Sequence, residues 1–237
     1  MSKRILGIIP ARGGSKGIKM KNIVSLGGVP LISYTIKEAL KAKHINYLCL
    51  STENEKIAKI ASSFNCPNII KRDSVLASDK ARTFDVVVDC LGKMEELYKV
   101  EFDLIILLQP TVPFRSYKDI DLALETLIKR ENDSSLISVV RVLSHHPMVM
   151  KKIKNGYLEN YCLNEPEGMR RQDYAPHAYM RNGAIYACWK STIIKFKSLY
   201  GPKIIPFKMP EERSINIDGY TDLALAETML NQKKCVE

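Results

Sequence analysis

The stretch Ile5-Leu6-Gly7-Ile8-Ile9-Pro10-Ala11-Arg12-Gly13-Gly14-Ser15-Lys16-Gly17-Ile18-Lys19-Met20-Lys21-Asn22 decides how the rest of the chain is read. Its apolar start, residues 5–9, reads as a buried first strand. Further on, Pro30-Leu31-Ile32-Ser33-Tyr34 reads as the opening of the first helix, with Pro30 suited to its first turn. Between the two lies a loop with two adjacent glycines, a serine and the cations Arg12, Lys16, Lys19 and Lys21. Glycine lets backbone amides turn inward and come close to an anion, and the cations then neutralise its charge. A loop of this make-up is a cradle for polyphosphate, at the carboxyl end of a strand where open α/β sheets bind ligands. Its spacing is that of neither the P-loop nor the Gly-x-Gly-x-x-Gly turn. Taken alone, it also reads as a solvated basic turn.

Outward from this loop the chain alternates. Ile32, Ile36, Ala39 and Leu40 fall on one helical face, and residues 47–51 read as a second buried strand. Thr52-Glu53-Asn54-Glu55 has the capping-box pattern and opens a helix facing inward through Ile57, Ile60, Ala61 and Phe64. Residues 68–72 read as a third strand ending on Arg72, and a polar loop, 73–82, follows. Phe84, Val87, Val88, Leu91 and Met94 mark another helix. Residues 103–108 are the most apolar strand, expected at the centre of the sheet and buried on both faces. Ser116 and Asp119 are expected to cap a helix carrying Ile120, Ala123, Leu124 and Leu127, before a strand over 136–142.

This order predicts an α/β fold with a mainly parallel sheet. The alternation breaks near residue 144. Lys154-Asn155-Gly156-Tyr157 reads as a hairpin turn between two short strands, and a looser stretch runs to residue 179. From Asn182 the strand–helix pattern resumes, closing on a helix with Leu223, Ala226, Glu227 and Leu230, capped by Thr221. Residues 1–143 and 182–237 are thus expected to form one core, with 144–181 as an excursion from it.

The composition excludes several classes. Apolar residues make up 46% of the 237, too many for a disordered chain. No apolar run is long enough to span a bilayer, and Met1-Ser2-Lys3-Arg4-Ile5 lacks the apolar segment of a signal peptide, so a cytoplasmic protein with no membrane partner is expected. The six cysteines, at 49, 66, 90, 162, 188 and 235, contain no C-x-x-C pair, and Cys49, Cys90 and Cys188 read as core residues. The net charge of +10 comes from scattered lysines such as Lys151-Lys152 and Lys233-Lys234, with no basic stripe interleaved with aromatics. It reads as a general bias, with no nucleic-acid partner expected.

Polar groups collect where strands should end on one edge of the sheet. Arg12, Ser15, Lys16, Lys21 and Asn22 follow the first strand, Arg72 the third, and Gln109 the central one. Together they can hold a nucleoside triphosphate and a second substrate. Gln109-Pro110-Thr111 also reads as an ordinary turn. In Ser214-Ile215-Asn216-Ile217-Asp218-Gly219, a short strand would point Asn216 and Asp218 to one face. Asp218 is then a candidate magnesium ligand, or alternatively a turn or helix-cap aspartate. Met169-Arg170-Arg171-Gln172 suits carboxylate or phosphate binding, or a solvated loop. His145 and His146, without matching ligands elsewhere, read as structural.

Five stretches, in order and across nearly the whole chain, resemble the acylneuraminate cytidylyltransferases. They are Ala11-Arg12-Gly13-Gly14-Ser15-Lys16-Gly17 with Lys21-Asn22; Arg72 with Leu76-Ala77-Ser78-Asp79; Leu107-Leu108-Gln109-Pro110-Thr111; Arg171-Gln172 followed by Asn182-Gly183-Ala184-Ile185-Tyr186; and Ile217-Asp218. The resemblance implies a Rossmann-like nucleotidyltransferase core that joins CTP to a nine-carbon 2-keto sugar acid, of N-acetylneuraminate or legionaminate type. The products would be the CMP-sugar and pyrophosphate, with magnesium as cofactor. It implies nucleotide contacts from Ala11, Arg12, Gly13, Ser15, Lys16, Lys21, Asn22, Arg72 and Asp79. It implies sugar-acid contacts from Thr83, Gln109, Thr111, Arg171, Gln172, Asn182 and Tyr186, and a metal ligand in Asp218. Arg12, Lys21 and Arg171 would be the catalytic cations. It further implies a homodimer, with 144–181 as the dimerisation extension. The pattern departs from that of many relatives at Asn216, where an aspartate is frequent, at Gly219, where a threonine is, and at Arg181. The rival readings are a cytidylyltransferase for 3-deoxy-manno-octulosonate or pseudaminate, and a non-catalytic nucleotide-binding regulator on the same fold. The octulosonate enzymes usually carry a different, tyrosine-containing first loop.

Overall fold

Strand β1 (Ile5–Pro10) forms as expected, with all but its last residue buried. This computed structural model describes residues 3–130 and 134–234, so Cys235 lies outside the described residues. After the basic loop a small hairpin, β2 (Ser25–Leu26) and β3 (Val29–Pro30), leads into α1 (Leu31–Lys41). Pro30 therefore ends a strand and caps the helix from outside, rather than sitting in its first turn. Next come β4 (Tyr47–Thr52), α2 (Glu55–Ser63) and β5 (Asn68–Lys71). The cap of α2 is Asn54, whose side chain accepts from the Lys56 and Ile57 amides, so the cap sits two residues later than the Thr52 pattern suggested. The polar loop after β5 contains a short helix, α3 (Ser74–Ala77), before α4 (Thr83–Tyr98).

The central strand β6 (Leu104–Leu107) is buried along its whole length. Helix α5 (Tyr117–Ile128) opens with the expected capping box: Ser116 accepts from the Asp119 amide, and Asp119 accepts from the Ser116 amide. Strand β7 (Ser135–Val142) precedes the excursion, which carries the hairpin β8 (Lys151–Lys154) and β9 (Tyr157–Asn160) turning at Asn155-Gly156. The return strand β10 (Ala178–Trp189) starts at Ala178, four residues before Asn182, and its register with β7 shifts between Arg181 and Tyr186. Helix α6 (Lys190–Phe196), the edge strand β11 (Ile204–Lys208) and α7 (Tyr220–Lys234) complete the chain. At α7 the capping group is the Asp222 carboxylate, which takes the Asp218 and Gly219 amides; Thr221 lies inside the helix.

The main sheet has seven strands in the order β11-β7-β10-β6-β1-β4-β5. Every pairing is parallel except the two made by β10, so the sheet is mainly parallel, as the alternation predicted. Helices α1, α2 and α5 cover one face and α4 and α6 the other, each over a continuous apolar layer. Leu40 and Val88 are exceptions to the expected inward faces, being 45% and 41% exposed. In α4 the buried stripe is Val86, Val87, Cys90, Leu91 and Met94, which leaves Val88 pointing away from the sheet. Cys49, Cys90 and Cys188 are buried thiols, and Cys162 is exposed. A third cluster joins α7 to the first loop: Ala226 packs with Ile18, Leu26, Leu31 and Ile217. From β1 the chain passes to β4 on one side and β6 lies on the other, so the order reverses at the carboxyl end of β1, where a crevice opens.

Candidate functional site

That crevice is a cleft of about 340 Å³. Ten of the residues singled out in the sequence line it: Arg12, Ser15, Lys21 and Asn22 from the first loop, Arg72 after β5, Asp79 and Thr83 before and at the start of α4, Gln109 and Thr111 after β6, and Asp218. Pro10, Gly14 and Asn216 lie beside them. Residues about two hundred positions apart thus meet on one wall, where Lys21 Nζ lies 2.8 Å from Asp218 Oδ1.

The basic loop is held from behind. Ala11 is buried and its amide donates to the Ser51 carbonyl, which extends the β1–β4 ladder past the strand. Asn22 Nδ2 donates to the Arg12 carbonyl at 2.8 Å, pinning the turn across its base. The Gly13 amide is already used: it donates to Glu53 Oε1 at 2.6 Å. A Cβ on Gly13 would crowd Asn54 and Glu53, so glycine there suits close packing against the turn between β4 and α2. Gly17 passes tight against the Asp218 backbone carbonyl and leaves no room for a Cβ. Gly13 and Gly17 therefore serve the loop's packing on the 53–54 turn and on the 214–218 segment, whereas a Cβ on Gly14 would meet open space.

Two of its cations face one carboxylate. Arg12 Nη1 lies 2.7 Å and Lys16 Nζ 3.4 Å from the oxygens of Asp79. The Arg12 hydrogen bond, and then that of Lys16, hold the Asp79 carboxyl below the usual carboxylate range. Asp79 thus stands against the loop where an anionic ligand would compete for the same cations. Arg72 is buried under the cleft, donating Nε to Ser51 Oγ at 3.0 Å and Nη2 to the Ser51 carbonyl at 2.9 Å. Burial pulls its guanidinium pKa down.

Gln109-Pro110-Thr111, after β6, lines the same cleft. The Gln109 side chain rests against Gly183, which sits at φ +79°; a Cβ there would lie 2.8 Å from Gln109 Oε1. Asn182 takes a different part from the one expected. It is buried, its Oδ1 accepts from Ser138 Oγ and the Ala184 amide, and its Nδ2 donates to Ser214 Oγ. Its amide is spent on tying the β10 bulge to the 214–218 segment. That segment is irregular rather than a strand, and the Ile217 amide donates to the Thr111 carbonyl at 2.8 Å. Asn216 and Asp218 nonetheless point together, Nδ2 to Oδ2 at 2.6 Å.

These oxygens fit a magnesium ion. The Asp218 carboxylate is two-thirds exposed, and Asn216 Oδ1 is buried without a hydrogen-bond partner among the described residues. Magnesium takes one or two such oxygens and completes its shell with water and phosphate. No group of three or more His, Cys, Asp or Glu side chains among the described residues forms a cage for a metal, so the chain would supply only part of the shell.

The remaining expected residues lie elsewhere. Arg171 and Gln172 are exposed on a 3-10 turn of the excursion and do not line the cleft within this chain. Tyr186 is in β10, opposite Leu107, on the α4 face of the sheet, where it is half-buried beside Tyr200. His146 is structural: its Nδ1 accepts from the Met148 amide and its Nε2 contacts the Pro176 carbonyl. Two residues were not singled out as site residues. Glu53 holds the Gly13 amide, and Arg115 is buried behind Gln109. In the sequence Glu53 is masked by a helix-cap pattern, and Arg115 by the helix start that follows it.

An open α/β sheet with a basic loop after its first strand, facing a polar wall across a crevice, defines a nucleotide-binding α/β enzyme. The chain belongs to the cytidylyltransferase family, whose model matches residues 6–234. It is 34% identical to the CMP-N,N'-diacetyllegionaminic acid synthase of Legionella pneumophila, over 98% of this chain and 100% of that one. It is 31% identical to the post-translational flagellin modification protein B of Campylobacter coli, over 97% and 96%. It is 32% identical to the N-acylneuraminate cytidylyltransferase of Escherichia coli over 99% of this chain, which spans 54% of that relative. Among solved structures, a CMP:2-keto-3-deoxy-manno-octonic acid synthetase complexed with CTP superposes with a TM-score of 0.70 at 18% identity, covering 97% of this chain and 99% of that one. That likeness is one of fold. The chain is an enzyme of the nucleotidyltransferase class, similar to the N-acylneuraminate cytidylyltransferases.

Proposed function

We propose that this enzyme transfers the cytidylyl group of CTP to a nine-carbon 2-keto sugar acid of the legionaminate or N-acetylneuraminate type, releasing pyrophosphate. The observation that carries this reading is a cleft lined together by Arg12, Ser15, Lys21, Asn22, Gln109, Thr111 and Asp218. Near full-length similarity to a relative named for legionaminic acid supports the acceptor class.

The anomeric hydroxyl of the acid attacks the α-phosphorus in line, and the bond to the β,γ-pyrophosphate breaks. Such transfer is catalysed mainly by positioning and charge stabilisation. Arg12 and Lys21 leave Asp79 and Asp218 to neutralise the triphosphate. Arg72 and the loop pinned by Asn22 form the floor under the nucleoside. Gln109 and Thr111 orient the acid, and Thr83 borders it from the start of α4. A magnesium ion, when bound, supplies Lewis-acid stabilisation of phosphate charge, and Asp218 and Asn216 are the residues that would hold it. Arg171 and Gln172 would reach an active site only across a dimer, and the excursion fits a homodimer: Ile153, Tyr157 and Leu158 of its hairpin are 79, 76 and 74% exposed. No helix among the described residues is long and apolar enough to cross a membrane.

The test is pyrophosphate release from CTP with N,N'-diacetyllegionaminate, N-acetylneuraminate, pseudaminate and 3-deoxy-manno-octulosonate. Release with either of the first two is expected. Release with the octulosonate alone would replace the acceptor, and release with none of the four would contradict the reading.

A further inference from the structure

Arg115 is the largest side chain that is fully buried in the described residues, 1% exposed. It makes no ion pair at bonding distance among them. The two carboxylates whose charge acts on it are committed to other cations: Asp119 is 3.0 Å from Arg213, and Glu38 is 2.6 Å from Lys41. A buried charge left without a counter-ion is costly, so the guanidinium should be repaid by what it holds. Nη1 donates to the Ala184 carbonyl at 2.7 Å and to the Gln109 carbonyl at 3.3 Å, while Nη2 donates to Thr35 Oγ1 of α1 at 2.8 Å. Nε has no partner among the described residues. One planar fork therefore joins the loop after β6, the β10 bulge and α1.

The bulge is not incidental to the site. Ala184 follows Gly183, the residue against which the Gln109 side chain rests. Fixing the Ala184 and Gln109 carbonyls on one guanidinium sets the distance between the Gln109 backbone and the surface its amide leans on. We propose that Arg115 is a positioning residue for the acceptor side of the site, holding Gln109 from the core below and so aiming its amide into the cleft. The proposal rests on the reading in which Gln109 faces the sugar acid. It separates the two substrates: the loop that grips the triphosphate is pinned by Asn22 and Glu53, and no bond of Arg115 reaches it.

The experiment pairs Arg115→Lys with Gln109→Ala in the full chain. Lysine keeps the charge but cannot span three acceptors in one plane. We measure CTP affinity by calorimetry with magnesium, and kcat/KM for whichever acid of the four-acid panel releases pyrophosphate fastest. Arg115→Lys is expected to lower kcat/KM for the acid about tenfold or more, with CTP affinity held within about twofold. In the Gln109→Ala background the same change should have almost no further effect. Thr35→Val, an isosteric change that removes one acceptor of the fork, should act in the same direction more weakly, and serves if the lysine variant does not fold. Equal losses for both substrates, or a full additive loss in the Gln109→Ala background, would overturn the assignment. If Gln109→Ala alone left the acid unaffected, the acceptor role of Gln109 itself would fall, and the inference with it.

Discussion

At the scale of single residues, charge placement decides function. Arg12 and Lys16 meet on Asp79, and Lys21 meets Asp218, so three of the four loop cations have a carboxylate partner that a triphosphate can replace. Such half-exposed pairs add little to stability. Arg12→Ala is therefore expected to abolish pyrophosphate release while thermal unfolding stays within about 2 °C of the parent. The pH dependence has a definite sign. The Asp79 carboxyl is depressed in the folded chain, so its contribution is present above the unfolded value of about 4 and is lost as pH falls through the lower folded value. The Tm difference between the parent and Asp79→Asn should accordingly be constant above about pH 5 and shrink towards zero below the ordinary carboxylate range. A difference that grew on acidification would contradict the Arg12–Asp79 pairing.

At the scale of elements, caps and close approaches position the site. The Ser116–Asp119 box starts α5 beside the loop that carries Gln109 and Thr111. Ser116→Ala should cost about 1 kcal/mol in denaturant unfolding, with m unchanged. Gly17 abuts the Asp218 carbonyl. Gly17→Ala, which must push the loop off the 214–218 segment, should cost about 1–3 kcal/mol and weaken CTP binding at the same time. Much of this was legible in the chain because its strands are apolar on both faces and end on polar residues. β1 and β6 declare themselves by runs of Ile and Leu, β4 by Leu48-Cys49-Leu50, and Ser116–Asp119 by its spacing. What stayed hidden has local causes. Strand β11 carries Pro206, tolerated because it is an edge strand, and its exposed–buried alternation is too short to stand out. The β2–β3 hairpin consists of two-residue strands around Gly27-Gly28. The roles of Asn182 and Arg115 depend on contacts with residues between six and eighty positions away, and no periodicity reports those.

At the scale of the whole molecule, one sheet edge gathers groups from both ends of the chain, and α7 closes over the first loop through Ala226. The β8–β9 hairpin of the excursion pairs only with itself in the sheet order, whereas residues 178–181 pair with β7 in the main sheet. If it is the dimer contact, Ile153→Lys with Leu158→Lys should convert a dimer to a monomer in sedimentation and reduce turnover without unfolding the core. A variant that sedimented as the parent does would remove the hairpin from the interface. The central proposition is that the glycine-bearing loop after β1 grips the triphosphate of CTP. Calorimetry with magnesium tests it most directly, titrating CTP into the parent chain and into Arg12→Ala. Saturable binding of one CTP per chain, lost in the variant, is the expected result; no heat from CTP in the parent, or equal affinity in both, would contradict it.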